Sequence, residues 1–509
     1  MKLILACAAL LCVSCAYEFD CPTDVHGDCI ERRYAHPDCS YYFRCYDDPS
    51  GCIAIVIPCQ DDLHFSPKYQ ECIHPYHANC TDSTTTSTTQ FTPPPVEDVS
   101  AFSAARSYDW YGGDAIVYFD QVDVNLRECF KNGTTFVPGR EGVYFMSFSG
   151  GIPSRTPVHI KIRPTNWPNY PSTIYRESTT AEDINMMYRT FLAGMSDTDY
   201  LNYKSFEPME SGESLQASFA GFSLTDMFHE VKAFYVAREE PFEFNQRIPM
   251  SRIFMDIEDN YNKTGREFIA PETGIYYFFF GAGQQSGKTN RVALQTWDEE
   301  FPKTEAELWM NSDSHNGLEM ASRSTILRLT AGERAWVTAV EGPVESMVDH
   351  CQVYFGGFWY NPAHATTIAF AVHRTSPWQS AMPLDPVEFH EVGVNQGNAF
   401  NHAANVVIIP KSGYYYIELS IGSMPHTTLD VEILLNGNPE TPENLGERIA
   451  HVSVESTNHT GVATSGRGLI THLWQNDILR LRANGLSGIF SDLNKQTTWM
   501  GLLLYEDYY

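Results

Sequence analysis

The chain is short of basic residues: 34 Lys and Arg stand against 63 Asp and Glu, a formal charge of −29. A surface of that sign repels phosphate backbones and anionic headgroups, so nucleic acid is excluded as an expected partner. Long apolar runs are missing too. Nothing approaches the roughly 20 uncharged apolar residues that a membrane-spanning helix needs, which excludes membrane insertion. The 34 Gly and 29 Pro show no Gly-X-Y period, so there is no collagen stalk. Sustained helical periodicity is absent. What is present is 509 residues, 43% hydrophobic and 13% aromatic, enough for about three or four domains.

The cysteines divide unevenly. Cys7, Cys12 and Cys15 fall in an apolar stretch that begins after Lys2 and ends in small residues at Ser14 and Ala16. Residues 1–16 therefore read as a secretory signal peptide, and the protein as secreted and extracellular. Cys21, Cys29, Cys39, Cys45, Cys52, Cys59, Cys72 and Cys80 crowd into residues 17–80, a segment with little aliphatic core whose stability must come largely from disulfides. Cys129 and Cys351 stand alone; they either bond to one another or are buried thiols. Residues 81–100 open with Thr81 to Pro95, nine of them Ser or Thr, closing on three prolines. That composition is a stiff, O-glycosylated spacer. Sequons at Asn79, Asn132, Asn262 and Asn458 are candidate N-glycosylation sites.

Beyond residue 100 the chain repeats itself. AFSAAR at 101–106 returns as AFYVAR at 233–238 and AFAVHR at 369–374, and FVPGREGVYFMSFSGG at 136–151 returns as FIAPETGIYYFFFGAG at 268–283. Three tandem domains follow, at 101–228, 231–360 and 367–509. Within each, short alternating apolar segments separated by Gly, Pro, Asn and Asp predict an all-β fold, a sandwich with jelly roll as the leading option.

The first segment resembles the type 2, or peritrophin-A, chitin-binding domain: six cysteines follow Cys21-x17-Cys39-x5-Cys45-x13-Cys59-x12-Cys72-x7-Cys80. The resemblance implies pairing Cys21 with Cys45, Cys39 with Cys80 and Cys59 with Cys72, leaving Cys29 and Cys52 as an added bridge. It also implies chitin or another N-acetylglucosamine glycan as ligand, the sugar's C–H faces stacking on aromatic rings. Tyr41, Tyr42, Tyr69, His74 and Tyr76 are the candidate binding residues, and Phe43 with Phe65 the candidate core pair. Many family members carry Trp at the position of His74, and the smaller ring weakens stacking.

Each large repeat resembles the globular head of complement C1q, in the superfamily shared with tumour necrosis factor. The signature runs through Phe119, Asn125, Phe130, Phe136, Gly142 and Tyr144 in the first copy. In the second it is Phe254, Asn260, Phe268, Gly274 and Tyr276, and in the third Phe389, Asn395, Phe400, Gly413 and Tyr415. On the strand after the glycine, Tyr144, Met146 and Phe148 and their counterparts face the sandwich core. The opposite face holds Val143, Phe145 and Ser147; Ile275, Tyr277 and Phe279; Tyr414, Tyr416 and Glu418. In the second copy this face is too apolar for water and must be covered. Family heads assemble as trimers, so three heads on one chain predict an intramolecular pseudo-trimer, with trimerisation between chains as the alternative. Calcium occurs in some family heads, but no residue here is assigned to a metal, and no cofactor is expected.

Catalytic patterns fail on inspection. GQQSGKT at 283–289 has Ala282 where a phosphate loop needs glycine, and FHEV at His229 and His390 lacks a second metal-binding histidine. The sequence thus reads as a non-enzymatic adaptor: a glycan-binding module, a spacer, and a head whose own ligand, a protein or microbial surface, is sought on loops such as 286–291 and 456–466.

Overall fold

The computed structural model describes residues 33–35, 40–48, 51–59, 64–66, 71–73 and 99–507, the last apart from 114, 154–155, 165–172, 178–184, 244, 286–287, 299–300, 312–317, 349, 438–444, 457–461 and 485–486. Residues Met1–Thr92 and Pro93–Tyr509 form two compact units. The signal peptide and the 81–98 part of the spacer lie outside the described residues.

In the first unit, strands Arg33–Ala35, Tyr41–Asp48 and Gly51–Pro58 make an antiparallel sheet in that order, and His64–Ser66 pairs with Glu71–Ile73. Cys59 is bonded to Cys72, joining the end of the sheet to the hairpin. Phe43 and Phe65 are both buried.

The described residues of the second unit form six sheets in three pairs, built to one plan. In the first sandwich the inner sheet runs Asn185–Met195, Gly142–Ile152, Ser218–Ser223, Ala101–Ala105, Gln121–Leu126. In the second it runs Leu318–Leu329, Gly274–Gln285, Val353–Tyr360, Ala233–Arg238, Arg252–Asp256. In the third, Gly413–Ser423 pairs with Ala463–Leu473 on one side and with Thr497–Glu506 on the other, followed by Ala369–Arg374 and Glu391–Gln396. Each inner sheet is faced by an outer one, ordered in the third sandwich Phe400–Asn401, Val406–Ile408, Ile478–Ala483, Thr427–Leu435, Glu447–Ser456. This is the all-β jelly-roll plan expected from the repeats. Among the described residues helix is confined to Gly212–Ser214 and Leu224–Met227.

Burial separates the sheets by role. The outer strand Thr427–Leu435 alternates buried and half-buried residues over its first six positions, the mark of a sheet with one wet face. The inner strands Gly142–Ile152 and Gly413–Ser423 are buried without interruption over their last nine residues. A strand buried on both faces has something packed on each. Tyr276, Phe278 and Phe280 point into the second sandwich's own core, while Tyr277 and Phe279 belong to a cluster shared by all three sandwiches.

The signature asparagine is a turn clamp. Asn125 accepts from the Phe130 backbone N–H at 2.8 Å and donates to its carbonyl at 2.9 Å. Asn395 does the same for Phe400, at 2.9 Å in both directions. In the second copy, which lacks the second aromatic, Asn260 instead donates to the Ile257 carbonyl at 2.7 Å. The two connectors between sandwiches lie side by side: the His229 N–H donates to Asn361 at 3.0 Å and the Ala363 N–H to Met227 at 2.8 Å.

Candidate functional site

Of the aromatic residues assigned to glycan binding, two are described. Tyr41 is 37% exposed at the start of its strand. Tyr42 is half-buried and stacks on Phe65, ring centroids 4.9 Å apart. Tyr41 shares a strand face with Phe43 and Cys45, which are buried, and stays partly exposed at the strand's first position. Tyr69, His74 and Tyr76 lie outside the described residues, as do Cys21, Cys29, Cys39 and Cys80; Cys45 is disulfide-bonded. Asn132 is exposed in a turn, and Asn262 is half-buried, its side-chain oxygen accepting from the Gly265 N–H at 3.0 Å. Asn79 and Asn458 fall outside the described residues.

In the second unit the covered face of the inner sheets is explained by the other sandwiches. Phe145, Tyr277 and Tyr416 occupy the same position in the three repeats and meet one another: ring centroids lie 5.2 Å apart for Phe145 and Tyr277, 5.1 Å for Phe145 and Tyr416, and 6.0 Å for Tyr277 and Tyr416. All three are buried. Aromatic rings at such separations, edge to face, gain about 0.5–1.5 kcal/mol per pair beyond the area they bury. Gly468 on the neighbouring strand has no room for a side chain, because a Cβ there would collide with the Tyr416 hydroxyl.

Next to this triad sits a buried carboxylate. Glu418 accepts from the hydroxyls of Tyr277 at 2.5 Å and Tyr416 at 2.7 Å. Burial pushes its carboxyl above the ordinary range, and hydroxyl donors from Tyr277, Tyr416, Tyr188 and Ser324 offset this only in part. Burial raises Tyr188, Tyr277 and Tyr416 as well, with the nearby Glu418 charge adding to it.

The third layer of the seam is a ring of arginines. Arg189, Arg323 and Arg467 stand at one position of the repeat, opposite Phe148, Phe280 and Leu419 in the register of their sheets. All three are buried. Each reaches into the next sandwich. Arg189 donates to the carbonyls of Cys351 at 3.2 Å and His350 at 3.4 Å and to the Tyr235 hydroxyl at 3.2 Å. Arg323 donates to the carbonyls of Lys495 and Gln496 and to the Thr498 hydroxyl at 2.6 Å. Arg467 closes the cycle on the Ser214 carbonyl at 3.3 Å, with Asp123 of the first sandwich as a nearby counter-charge. A planar guanidinium presents five donors in a fixed fork, which suits capping backbone carbonyls.

The loops assigned to a head ligand fare differently. The 463–466 part of the 456–466 segment is strand, buried against the neighbouring sandwiches: Ser465 donates to the Met186 carbonyl at 2.7 Å and Thr464 to the Trp309 carbonyl at 3.1 Å. Those four residues are seam, not ligand loop, because their small side chains let adjacent strands approach. In the other loop Arg291 is paired with Glu307 at 2.8 Å, and Ser286 and Gly287 lie outside the described residues. Cys129 and Cys351 are buried thiols; burial pushes the Cys129 thiol up to about 12. Among the described residues no three His, Cys, Asp or Glu side chains gather as a metal-binding group, and no helix is long and apolar enough to cross a membrane.

These features define a class: a multi-lobed jelly-roll protein whose sandwiches associate through one face of their inner sheets. The profile of the C1q domain family matches residues 233–359 and 369–504, more than half of the chain, and the chain belongs to that family. C1q domains are ligand-binding, oligomerising recognition modules. Among curated proteins, the chain is 22% identical over 139 residues to the heavy metal-binding protein HIP of Mytilus edulis, a match covering 27% of this chain and 61% of that relative's length. Solved structures with local similarity include the globular domain of zebrafish complement 1qA, at 20% identity over 26% of this chain and 98% of that one, TM-score 0.21. Another is the Eiger TNF of S. frugiperda, at 14% identity over 27% and 97%, TM-score 0.23.

Proposed function

We propose that this protein is a secreted, non-enzymatic adaptor that joins a chitin or N-acetylglucosamine glycan, held by residues 17–80, to a second target held by a head of three C1q-like domains. The observation that carries the reading is the closed cycle from Arg189 to Arg323 to Arg467. It gives one chain the association through inner sheets that single-headed chains reach only by meeting two others. The first sandwich, which shares the strand order of the family-matched pair, acts as the third head. Covalent linkage sets the effective concentration of the heads near the millimolar range, so assembly does not depend on how dilute the secreted protein is. On this reading Tyr41 supplies a partly exposed ring for sugar stacking, Tyr42 is braced by Phe65, and Tyr69, His74 and Tyr76 complete the platform. The remaining cysteines pair as the family framework implies, and the sequons carry glycans. The physiological task is innate recognition of chitinous or microbial surfaces.

A second reading has its own support. The net charge of −29, together with similarity to a relative named for heavy-metal binding, suits a component of a chitin matrix such as cuticle, shell or peritrophic lining, with acidic heads holding mineral ions.

The test is retention of the full chain on chitin beads. Wild type is retained and competed off by chitin oligosaccharides, and Tyr41→Ala with Tyr42→Ala weakens retention about tenfold or more. A wild-type chain that flows through unretained overturns the glycan-anchoring half of the reading. Expression in blood cells on infection separates the immune task from expression in a chitin-secreting epithelium.

A further inference from the structure

The seam between the second and third sandwiches opens on one side into a cleft of about 470 Å³, within the size range of small-molecule sites. The second sandwich contributes Trp297, Lys303, Glu305, Arg328, Glu333 and Arg334, and the third contributes His373 and Glu391.

Two properties of the wall identify a ligand class. The first is charge. Three cations, Lys303, Arg328 and Arg334, balance three carboxylates, Glu305, Glu333 and Glu391, so the lining is formally neutral in a chain of net charge −29. His373 adds no charge, since burial holds it well below its ordinary range. The charges are also tied down: Lys303 pairs with Glu305 at 3.1 Å and Arg334 with Glu267 at 2.7 Å. Behind the wall, Lys495 bridges Glu305 at 3.0 Å and Glu391 at 2.8 Å across the seam. Arg328 donates to the Gln396 amide oxygen at 2.7 Å and Glu333 accepts from the Thr330 N–H at 2.5 Å, so the wall offers donors and acceptors in balance rather than a surplus of one sign. A hydroxyl group, which both donates and accepts, finds charged partners of both kinds. The second property is the ring. Trp297 is 48% exposed, although a large apolar side chain gains by burial. It is held in place by Trp336, centroid 5.2 Å away, and by the Arg247 guanidinium at 5.5 Å.

A rigid, half-open indole beside densely spaced donors and acceptors of zero net charge matches a molecule with an apolar C–H face and many hydroxyls. We propose that this cleft binds a neutral saccharide, with room for a mono- or disaccharide, Trp297 stacking on a sugar face while Arg328 and the Glu305 and Glu391 carboxylates engage its hydroxyls. The proposal deepens the adaptor reading, on which it rests, by giving the head its own ligand class.

The test uses the full chain carrying Tyr41→Ala and Tyr42→Ala, which weakens the platform of the first unit, and residual binding there is told apart by its insensitivity to Trp297→Ala. Glucose, galactose, mannose and N-acetylgalactosamine are titrated by calorimetry and tryptophan fluorescence, beside glucuronate, sialic acid and inorganic phosphate as charged probes. The expected result is saturable binding of at least one neutral sugar, accompanied by a fluorescence change, and weakened about tenfold or more by Trp297→Ala. Far-UV dichroism and melting of the variant stay as in the parent, since this ring is outside the core clusters. Binding of no neutral sugar, binding of charged probes alone, or a neutral-sugar affinity unmoved by Trp297→Ala overturns the proposal. Chitin-bead retention of the wild-type chain in the same series separates the outcomes: retention without cleft binding refutes the cleft alone, and loss of both refutes the adaptor reading with it.

Discussion

Arg189, in the first sandwich, donates to the carbonyl oxygen of Cys351, in the second, at 3.2 Å. The contact joins a fully buried cation to the backbone of a neighbouring repeat 162 residues away in sequence. Its counterparts at Arg323 and Arg467 make the same step onward, so the three sandwiches are linked in a ring whose direction is fixed. The arginines also explain why no collagen-like stalk is needed for registration: the connectors bring the repeats together, and the buried guanidinium groups select one arrangement over a slipped one, because a slip strands a buried charge.

Removing one link should therefore cost more than a surface ion pair does. Arg323→Met keeps the volume and leaves the Lys495 and Gln496 carbonyls and the Thr498 hydroxyl without their donor. The expected loss is about 3 kcal/mol, read as a lower urea midpoint. A midpoint within error of wild type contradicts the role given to the ring.

The aromatic triad predicts a second loss by a different mechanism. Phe145→Ala empties the site between Tyr277 and Tyr416, and large-to-small changes of this kind cost about 3–5 kcal/mol. Because Phe145 touches both other sandwiches, the damage should appear as a lowered transition of the whole second unit, monitored by near-ultraviolet dichroism, rather than of the first sandwich alone.

Position 277 was legible in the sequence, and position 189 was not. Alternation along GIYYFFFGAG already requires a cover for Tyr277 and Phe279, and the structure supplies it from within the chain, with Phe145 and Tyr416 packed on Tyr277. A lone arginine inside a strand instead reads as a solvent-facing residue, since Arg is rarely buried. The signal that would have found the ring is its recurrence at one repeat position, in MMYRTF, MASRST and TSGRGL. The 463–466 end of the 456–466 segment misled for a related reason: Thr464, Ser465 and Gly466 have the composition of a loop, but small residues are also what close packing of strands demands; residues 457–461 lie outside the described residues.

Glu418 gives the head a pH dependence. Its folded value is raised above the unfolded one, so the stability it contributes is complete below the ordinary carboxylate range and falls away as pH rises through the folded value. Glu418→Gln removes that dependence. Urea midpoints measured at half-unit steps upward from pH 4 should decline less steeply for the variant than for wild type; parallel curves contradict the assignment.

The two solitary cysteines should be inert in the folded state. Cys129 is buried with its thiol pushed up to about 12, and Cys351 is buried where its carbonyl serves Arg189. A thiolate-selective reagent at pH 8 should modify neither until denaturant is added. Mass spectrometry of the peptides holding each cysteine reads this directly, and rapid labelling of either in the native chain counts against the packed seam.

The most direct measurement is light scattering coupled to size exclusion on the secreted full chain, taken across a hundredfold dilution. A ring closed within the chain predicts the mass of one polypeptide and its glycans at every concentration. A species three times heavier that dissociates on dilution would mean that the inner sheets find their partners in other chains.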